Sequence, residues 1–317
     1  MRVRILDPSA LTDEAVAGVY QVMVRCHAES NAEEPYRTVG EAEAYLRHAP
    51  ASDPRDYWVA EQDGEVVGFA ELASLDSSTA GYVEILVRPD ARRQGHGAAL
   101  FGAVREQARR RDRRVLIGTH ATAPGALFAA RTGAVDKRRE IRSLLKLPLP
   151  DDLATHPVSG YTVRSWVGAT PQALLESFAH AREAINDAPR ASEEERAAWS
   201  AARVRELEAI VERRGREARV TVGLDARGSV VAFTELRLST APGTKAGTED
   251  TAVLAQHRRR GLGRWVKLES LLRLQHDRPD VGLVTTTNAE ENVAMLALNR
   301  SLGFEPVTAY TSCVLDV

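Results

Sequence analysis

The chain has 317 residues, more than one ordinary core needs and about what two domains need. Hydrophobic residues make up 44% and charged ones 27%, which excludes a disordered chain, and 42 Lys and Arg against 44 Asp and Glu exclude a global field for nucleic acid or an anionic membrane. The two cysteines, Cys26 and Cys313, have no paired or metal-type spacing, which argues against a disulfide scaffold and a zinc site. Near the N-terminus, "MRVRILDPSALTDEAV" carries charges where a secretory segment needs an apolar run, and no run of about 18 apolar residues follows, so a cytoplasmic protein is expected.

In chain order, "RVRIL" reads as a strand and the alanine-rich 14–28 as a helix. "YWVAEQDGEVVGFAEL" then predicts a β-hairpin turning at Asp63-Gly64, a dipeptide suited to a two-residue turn. A strand over Val83–Val87 leads into the loop "DARRQGHG" (90–97) and a helix over Gly97–Arg109. The strand in "RRVLIGTH", a helix ending at Gly133 and the strand "RSLLKL" complete the series.

The same series then repeats. "YTVRSW", a helix over 171–185, the hairpin strand "ARGSVVAFTEL", a strand over Asp250–Leu254, the loop "QHRRRGLG" (256–263) and a helix over Gly263–Leu274 come in turn. "VGLVTTT", a helix ending at Gly303 and "AYTSCVL" finish it. Gly64, Val67, Phe69 and Glu71 match Gly228, Val231, Phe233 and Glu235, and the offset grows slowly along the chain, as small loop insertions would make it. Between the copies, "LPLPDDLATHPVSG" breaks any period. The expected organisation is therefore a domain over 1–148, a linker over 149–160 and a domain over 161–317, each α+β with a mixed, mainly antiparallel sheet flanked by helices.

Both loops spell Arg-x-x-Gly-x-Gly between a strand and a helix: Arg92, Gly95 and Gly97, then Arg258, Gly261 and Gly263. A helix N-terminus offers unpaired N–H groups and partial positive charge, and glycine lets backbone approach a bulky anion, so the loops suit a pyrophosphate. Neither copy spells the Rossmann fingerprint or the P-loop.

Strand, Arg-x-x-Gly-x-Gly and helix, with "NVAMLALNRSLGF" (292–304) downstream, resemble the acetyl-coenzyme A (acetyl-CoA) signature of the GNAT acetyltransferase superfamily, as two tandem GNAT domains. The resemblance implies an acetyl-CoA-dependent N-acetyltransferase of small amines, without metal. It implies that coenzyme lies against Leu86, Val87, Arg92, Arg93, Gln94, Gly95, His96, Gly97 and Ala98 in the first half, with Arg88 near the phosphates. In the second half it implies Val253, Leu254, Ala255, Arg258, Arg259, Arg260, Gly261, Leu262, Gly263, Arg264, Asn288 and Asn292.

Attack of an amine on a thioester needs a proton acceptor, a donor for the oxyanion and an acid for the leaving thiolate. Glu84 and Asp250 stand eight residues before Arg92 and Arg258, with Glu249 beside Asp250, and are the expected bases. The family resemblance makes the Val87 or Leu254 N–H the oxyanion donor. The family's tyrosine acid is replaced by Ala129 and Asn299, which leaves Asn299 and Tyr310 as the expected substitutes. Thr122 and Ala134 depart from the pattern in the first half, so the second half is expected to be catalytic. The acceptor pocket is expected along "EAINDAPRASEEE" (183–195), with Asn186 and Asp187 meeting an ammonium group. The other readings are an acyl-CoA-binding sensor without turnover and, from "REQARRRDRRV" (105–115), a nucleic-acid binder. Expected partners are a small amine, no nucleic acid and no membrane, in a monomer or homodimer.

Overall fold

The computed structural model describes residues 2–74, 79–150, 152–189, 198–243 and 245–317. The chain forms two compact units, one built from 1–140 with 308–317 and the other from 141–189 with 198–307 among the described residues.

In the first unit the strands are β1 (Arg2–Leu6), β2 (Arg55–Gln62), β3 (Glu65–Ala73), β4 (Ala80–Val87) and β5 (Val115–His120). The helices are α1 (Asp13–Ser30), α2 (Val39–Arg47), α3 (His96–Arg110) and α4 (Ala123–Thr132). A further strand, β6 (Val135–Lys146), begins here and carries the chain into the second unit. The sheet runs β1-β2-β3-β4-β5 and is antiparallel except for β4–β5. The β2–β3 hairpin turns where expected, with Asp63 and Gly64 at φ of 52° and 85°, the left-handed pair that a type I′ turn demands. β3 is buried along nearly its whole length, because α1 and α2 cover one face of the sheet and α3 the other.

The second unit contains β7 (Thr162–Val167), α5 (Leu175–Arg182), α6 (Ala201–Arg213), β8 (Arg216–Leu224), β9 (Val230–Ser239) and β10 (Lys245–Val253). It continues with α7 (Leu262–Asp277), β11 (Leu283–Ala289), α8 (Val293–Arg300) and β12 (Glu305–Asp316). Its sheet runs β6-β11-β10-β9-β8-β7. The end of β12 leaves this unit: Thr311 to Asp316 pair with β5 in the first unit's sheet. Each repeat thus adds its final strand to the sheet of the other unit.

Three features depart from the sequence expectations. One helix was expected before each hairpin, and two are found. α2 is short, but Thr38 and Glu41 form a reciprocal capping box, a signal present in the sequence. The growing offset between repeats comes partly from inside a strand. Glu249 and Asp250 together oppose Glu235, a β-bulge, whereas Glu84 opposes Glu71 one to one. The segment expected to be a linker is anchored: Leu149 is buried in the second unit's core, its N–H donates to Gln275 Oε1 at 2.6 Å, and Leu153 packs on the same cluster.

Candidate functional site

In each unit the two central strands part company. β4 and β5 pair only over Ala80–Tyr82 with Val115–Ile117, and β10 and β11 only over Lys245–Gly247 with Leu283–Thr285. Beyond those pairs each unit has an open wedge facing its glycine loop. In the first unit an open cleft lies there, lined by Val83, Ile85, Phe101, His120, Phe128 and Cys313 among others.

The two loops repeat one backbone conformation. Arg93 and Gly95 take φ of 66° and 90°, and Arg259 and Gly261 take 61° and 86°. No atom lies within 4 Å of a Cβ built at Gly95, and only Val158 Cγ2, at 3.9 Å, at Gly261. α3, α5 and α7 start without a capping side chain, although Thr12, Thr38, Thr122, Ser200 and Asn292 cap α1, α2, α4, α6 and α8; α5 continues a 3-10 turn over Gln172–Leu174, whereas α3 and α7 follow a glycine at positive φ. The first intrahelical bonds are Ala99 N–H to Gly95 O and Trp265 N–H to Gly261 O, so the amides before them await an acceptor. An anion fits both places.

The arginines divide into two kinds. Arg92 Nε donates to Val87 O at 3.0 Å and its guanidinium grips Glu29; Arg258 Nε donates to Val253 O at 2.9 Å and its Nη2 to Asp187 Oδ2 at 2.5 Å. These two fasten the loop to the strand. Arg88 is held by Asp90 and Glu65. Arg93, Arg259, Arg260 and Arg264 have no ion pair among the described residues and remain available to phosphate, as does Gln94. The His96 side chain is buried against Gln62 Oε1 at 2.8 Å and Leu262 is buried in the core, so at these positions, as at Gly97, Ala98 and Gly263, the backbone is what the loop offers.

Just past β10 the amide of Leu254 is taken by Val231 O at 2.9 Å, so the expected oxyanion donor is already engaged. Strand alternation turns the Val253 amide to the other edge, into the wedge, and Val87 stands likewise in the first unit because Arg88 N–H bonds Val67 O. Leu86 packs toward α1 and Ala255 opens the turn before Arg258.

The expected bases occupy the parting strands. Crowding by protein raises Asp250 to about 6, with Glu235 and Glu249 adding to the rise and Arg182 and Arg237 opposing it; its side chain is still 30% exposed, which moderates the rise. Arg182 Nη2 meets Asp250 Oδ2 at 2.9 Å and Arg182 Nη1 meets Glu235 Oε2 at 2.6 Å, while Arg237 bonds Glu235 at 2.7 Å and stands 3.7 Å from Glu249. Crowding by protein raises Glu84 to about 7, Glu71 across the strand pair adds to it, and Arg37 and Arg55 oppose it; solvent still reaches the Glu84 side chain, which moderates that rise.

Other expected residues sit elsewhere or are engaged. Tyr310, expected to protonate the thiolate of the second half, belongs to the first unit, where its hydroxyl donates to Asn31 Oδ1 at 2.6 Å, because β12 has crossed into that sheet. Asn299 is buried and bonded at both ends of its amide, accepting from Lys267 Nζ and donating to Asn288 Oδ1, each at 2.7 Å. Asn292 caps α8 through Met295 N–H. Asn186 donates to Glu183 at 3.1 Å, Asp187 is held by Arg258, and positions 190–195 of the expected acceptor segment lie outside the described residues. Arg182, Arg237 and Lys267 carry no motif in the sequence that marks them as site residues. Glu71 and Glu235 were visible as acids recurring inside matched apolar strands. Among the described residues no helix is long and apolar enough to cross a membrane, and no group of three or more His, Cys, Asp or Glu is placed to hold a metal.

A family model described as Acetyltransferase (GNAT) family matches residues 16–132. A mycothiol acetyltransferase of Kineococcus radiotolerans is 34% identical over 46% of this chain and 52% of its own, and one of Salinispora arenicola is 29% identical over 84% and 82%. The chain spans about half the length of the first curated relatives it matches, 52%, 40% and 49% of them. A solved structure titled tandem GNAT protein from the clavulanic acid biosynthesis pathway is 30% identical, with a TM-score of 0.83 over 99% of this chain and 98% of that one. A GCN5-related N-acetyltransferase from Sphaerobacter thermophilus shares the fold at 16% identity and a TM-score of 0.69 over 99% and 95%. The chain belongs to the GNAT acetyltransferase family, in the tandem arrangement of two such domains.

Proposed function

We propose that the chain transfers an acetyl group from acetyl-CoA to the primary amine of a small molecule, with catalysis in the second unit and a second coenzyme loop in the first. The observation that carries this reading is the pairing of an uncapped helix start at Gly261 with a bulge that sets Glu249 and Asp250 on the parting strand β10. The backbone of 259–264 holds the pyrophosphate, helped by the unpaired Arg259, Arg260 and Arg264. Bound coenzyme supplies a thioester that a free amine attacks without covalent help from the protein. Asp250, ionised above about 6, takes the proton of the incoming ammonium, directly or through water. The Val253 amide, turned into the wedge, stabilises the developing oxyanion.

The relatives are named for mycothiol and the structural neighbour for the clavulanic acid pathway, so their names point to different small molecules. The acceptor class is therefore taken from the carboxylates of this chain. Titration with acetyl-CoA and a panel of amines, following free thiol, tests the reading; binding without thiol release for any amine favours the sensor instead. One observation favours that second reading: Asn299, where the family's acid would stand, is locked between Lys267 and Asn288 and has no acidic proton.

A further inference from the structure

Lys267 lies on α7 with 1% of its surface exposed, its Nζ 2.7 Å from Asn299 Oδ1 and 4.9 Å from the centre of the Phe304 ring. No carboxylate pairs with it among the described residues. A buried cation without a counter-ion is costly, so its hydrogen bond has to matter. The bond continues in one direction: Lys267 donates to Asn299 Oδ1, Asn299 Nδ2 donates to Asn288 Oδ1 at 2.7 Å, and Thr286 Oγ1 leans on the same oxygen at 3.5 Å. Asn288 Nδ2 is left with no partner among the described residues, on a half-buried side chain.

The first unit shows where that amide sits. The registers Tyr82–Ile117 and Gly247–Thr285 place Asn288 where the first unit has His120, and the loop and C-cap glycines place Lys267 with Phe101 and Asn299 with Ala129. Phe101, His120 and Ala129 all line the open wedge of the first unit. The second unit has replaced these three wall positions by a single hydrogen-bonded line.

An asparagine amide has two ends that differ only in what they offer, and a neighbour decides which way it faces. Below about pH 7, where the Lys267 amine keeps its proton, it only donates, so it fixes Asn299 and, through it, Asn288. We propose that Lys267 is a positioning residue for coenzyme binding in the second unit: acting through Asn299, it holds the Asn288 side chain with its N–H outward, as the donor to a carbonyl oxygen of the coenzyme's arm. This rests on the coenzyme reading of the second unit.

Acetyl-CoA is titrated calorimetrically at pH 6 into the full chain carrying Gly95→Glu, so that only the second loop binds. Lys267→Met and Asn288→Ala each weaken binding about five-fold, the effect of one neutral hydrogen bond. The double variant is no weaker than Asn288→Ala alone, and Lys267→Gln, whose amide donates to the same oxygen, regains most of the affinity. If Lys267→Met fails to fold, Asn299→Leu breaks the same line one link later and shows the same non-additivity. Penalties that multiply, or a Lys267→Met protein that binds like its parent, overturn the proposal. A Gly95→Glu parent that binds no acetyl-CoA overturns the coenzyme reading itself, and the proposal with it.

Discussion

Arg182 Nη2 donates to Asp250 Oδ2 at 2.9 Å, which places a permanent positive charge on the carboxylate expected to act as the base. Burial raises that carboxyl, Glu235 and Glu249 add to the rise, and Arg182 and Arg237 oppose it, so the value of about 6 is a balance. The base works ionised, so kcat/KM falls as pH drops through about 6. Arg182→Met removes the stabilising charge and moves the inflection upward. Asp250→Asn lowers kcat about 100-fold or more. A pH–rate profile that does not move in Arg182→Met assigns the base elsewhere.

Gly95 and Gly261 sit at φ of 90° and 86° beside open space. A glutamate there strains the backbone and adds a carboxylate where an anion is expected. Gly261→Glu and Gly95→Glu each remove one equivalent of bound acetyl-CoA, and together they remove both. Calorimetric stoichiometry reads this directly.

Arg258 and its neighbours separate by role. Arg258→Ala, which unfastens the loop from Val253 O and Asp187, lowers stability by about 1 kcal/mol. Arg259→Ala and Arg260→Ala leave the melting temperature unchanged and weaken acetyl-CoA binding, more so at low salt.

Burial lowers Lys267 to about 7 from 10.5. Between those values the unfolded chain carries a proton on this amine that the folded chain has released, so this group's contribution to stability grows as pH rises through that window and is lost as pH falls toward 7. The full difference is on the order of 5 kcal/mol. Unfolding of the parent and of Lys267→Met, measured from pH 6.5 to 10, should show the parent gaining stability relative to the variant. Parallel curves exclude a neutral buried amine.

Tyr310→Phe removes the bond to Asn31 and costs about 1 kcal/mol of stability, while the rate of thiol release stays as in the parent. A large loss of kcat at unchanged stability returns Tyr310 to the list of acids.

Much of this molecule is legible in its sequence because the signals are local. Asp63-Gly64 turns a hairpin, and Gly95 and Gly261 carry the left-handed backbone their loops need. Non-local choices are not legible. Nothing in "AYTSCVL" says that Thr311 to Asp316 pair with β5 rather than with the strand nearest in their own repeat. The bulge at Glu249 and Asp250 shows in sequence only as an offset one residue larger, which a loop would also produce. Lys267 hides in the run "WVKLESLL", where periodicity alone would set a lysine toward solvent. Its partners, Asn288 and Asn299, stand 21 and 32 residues away, and only the fold joins them.

The crossing of the final strands also has a temporal side. During synthesis the β5 edge stays unpaired through roughly two hundred further residues, until 308–317 have left the ribosome. An open edge of that duration invites pairing with other chains. A fragment cut at the repeat boundary keeps that β5 edge open for its whole life, so separating the repeats exposes backbone that the full chain covers.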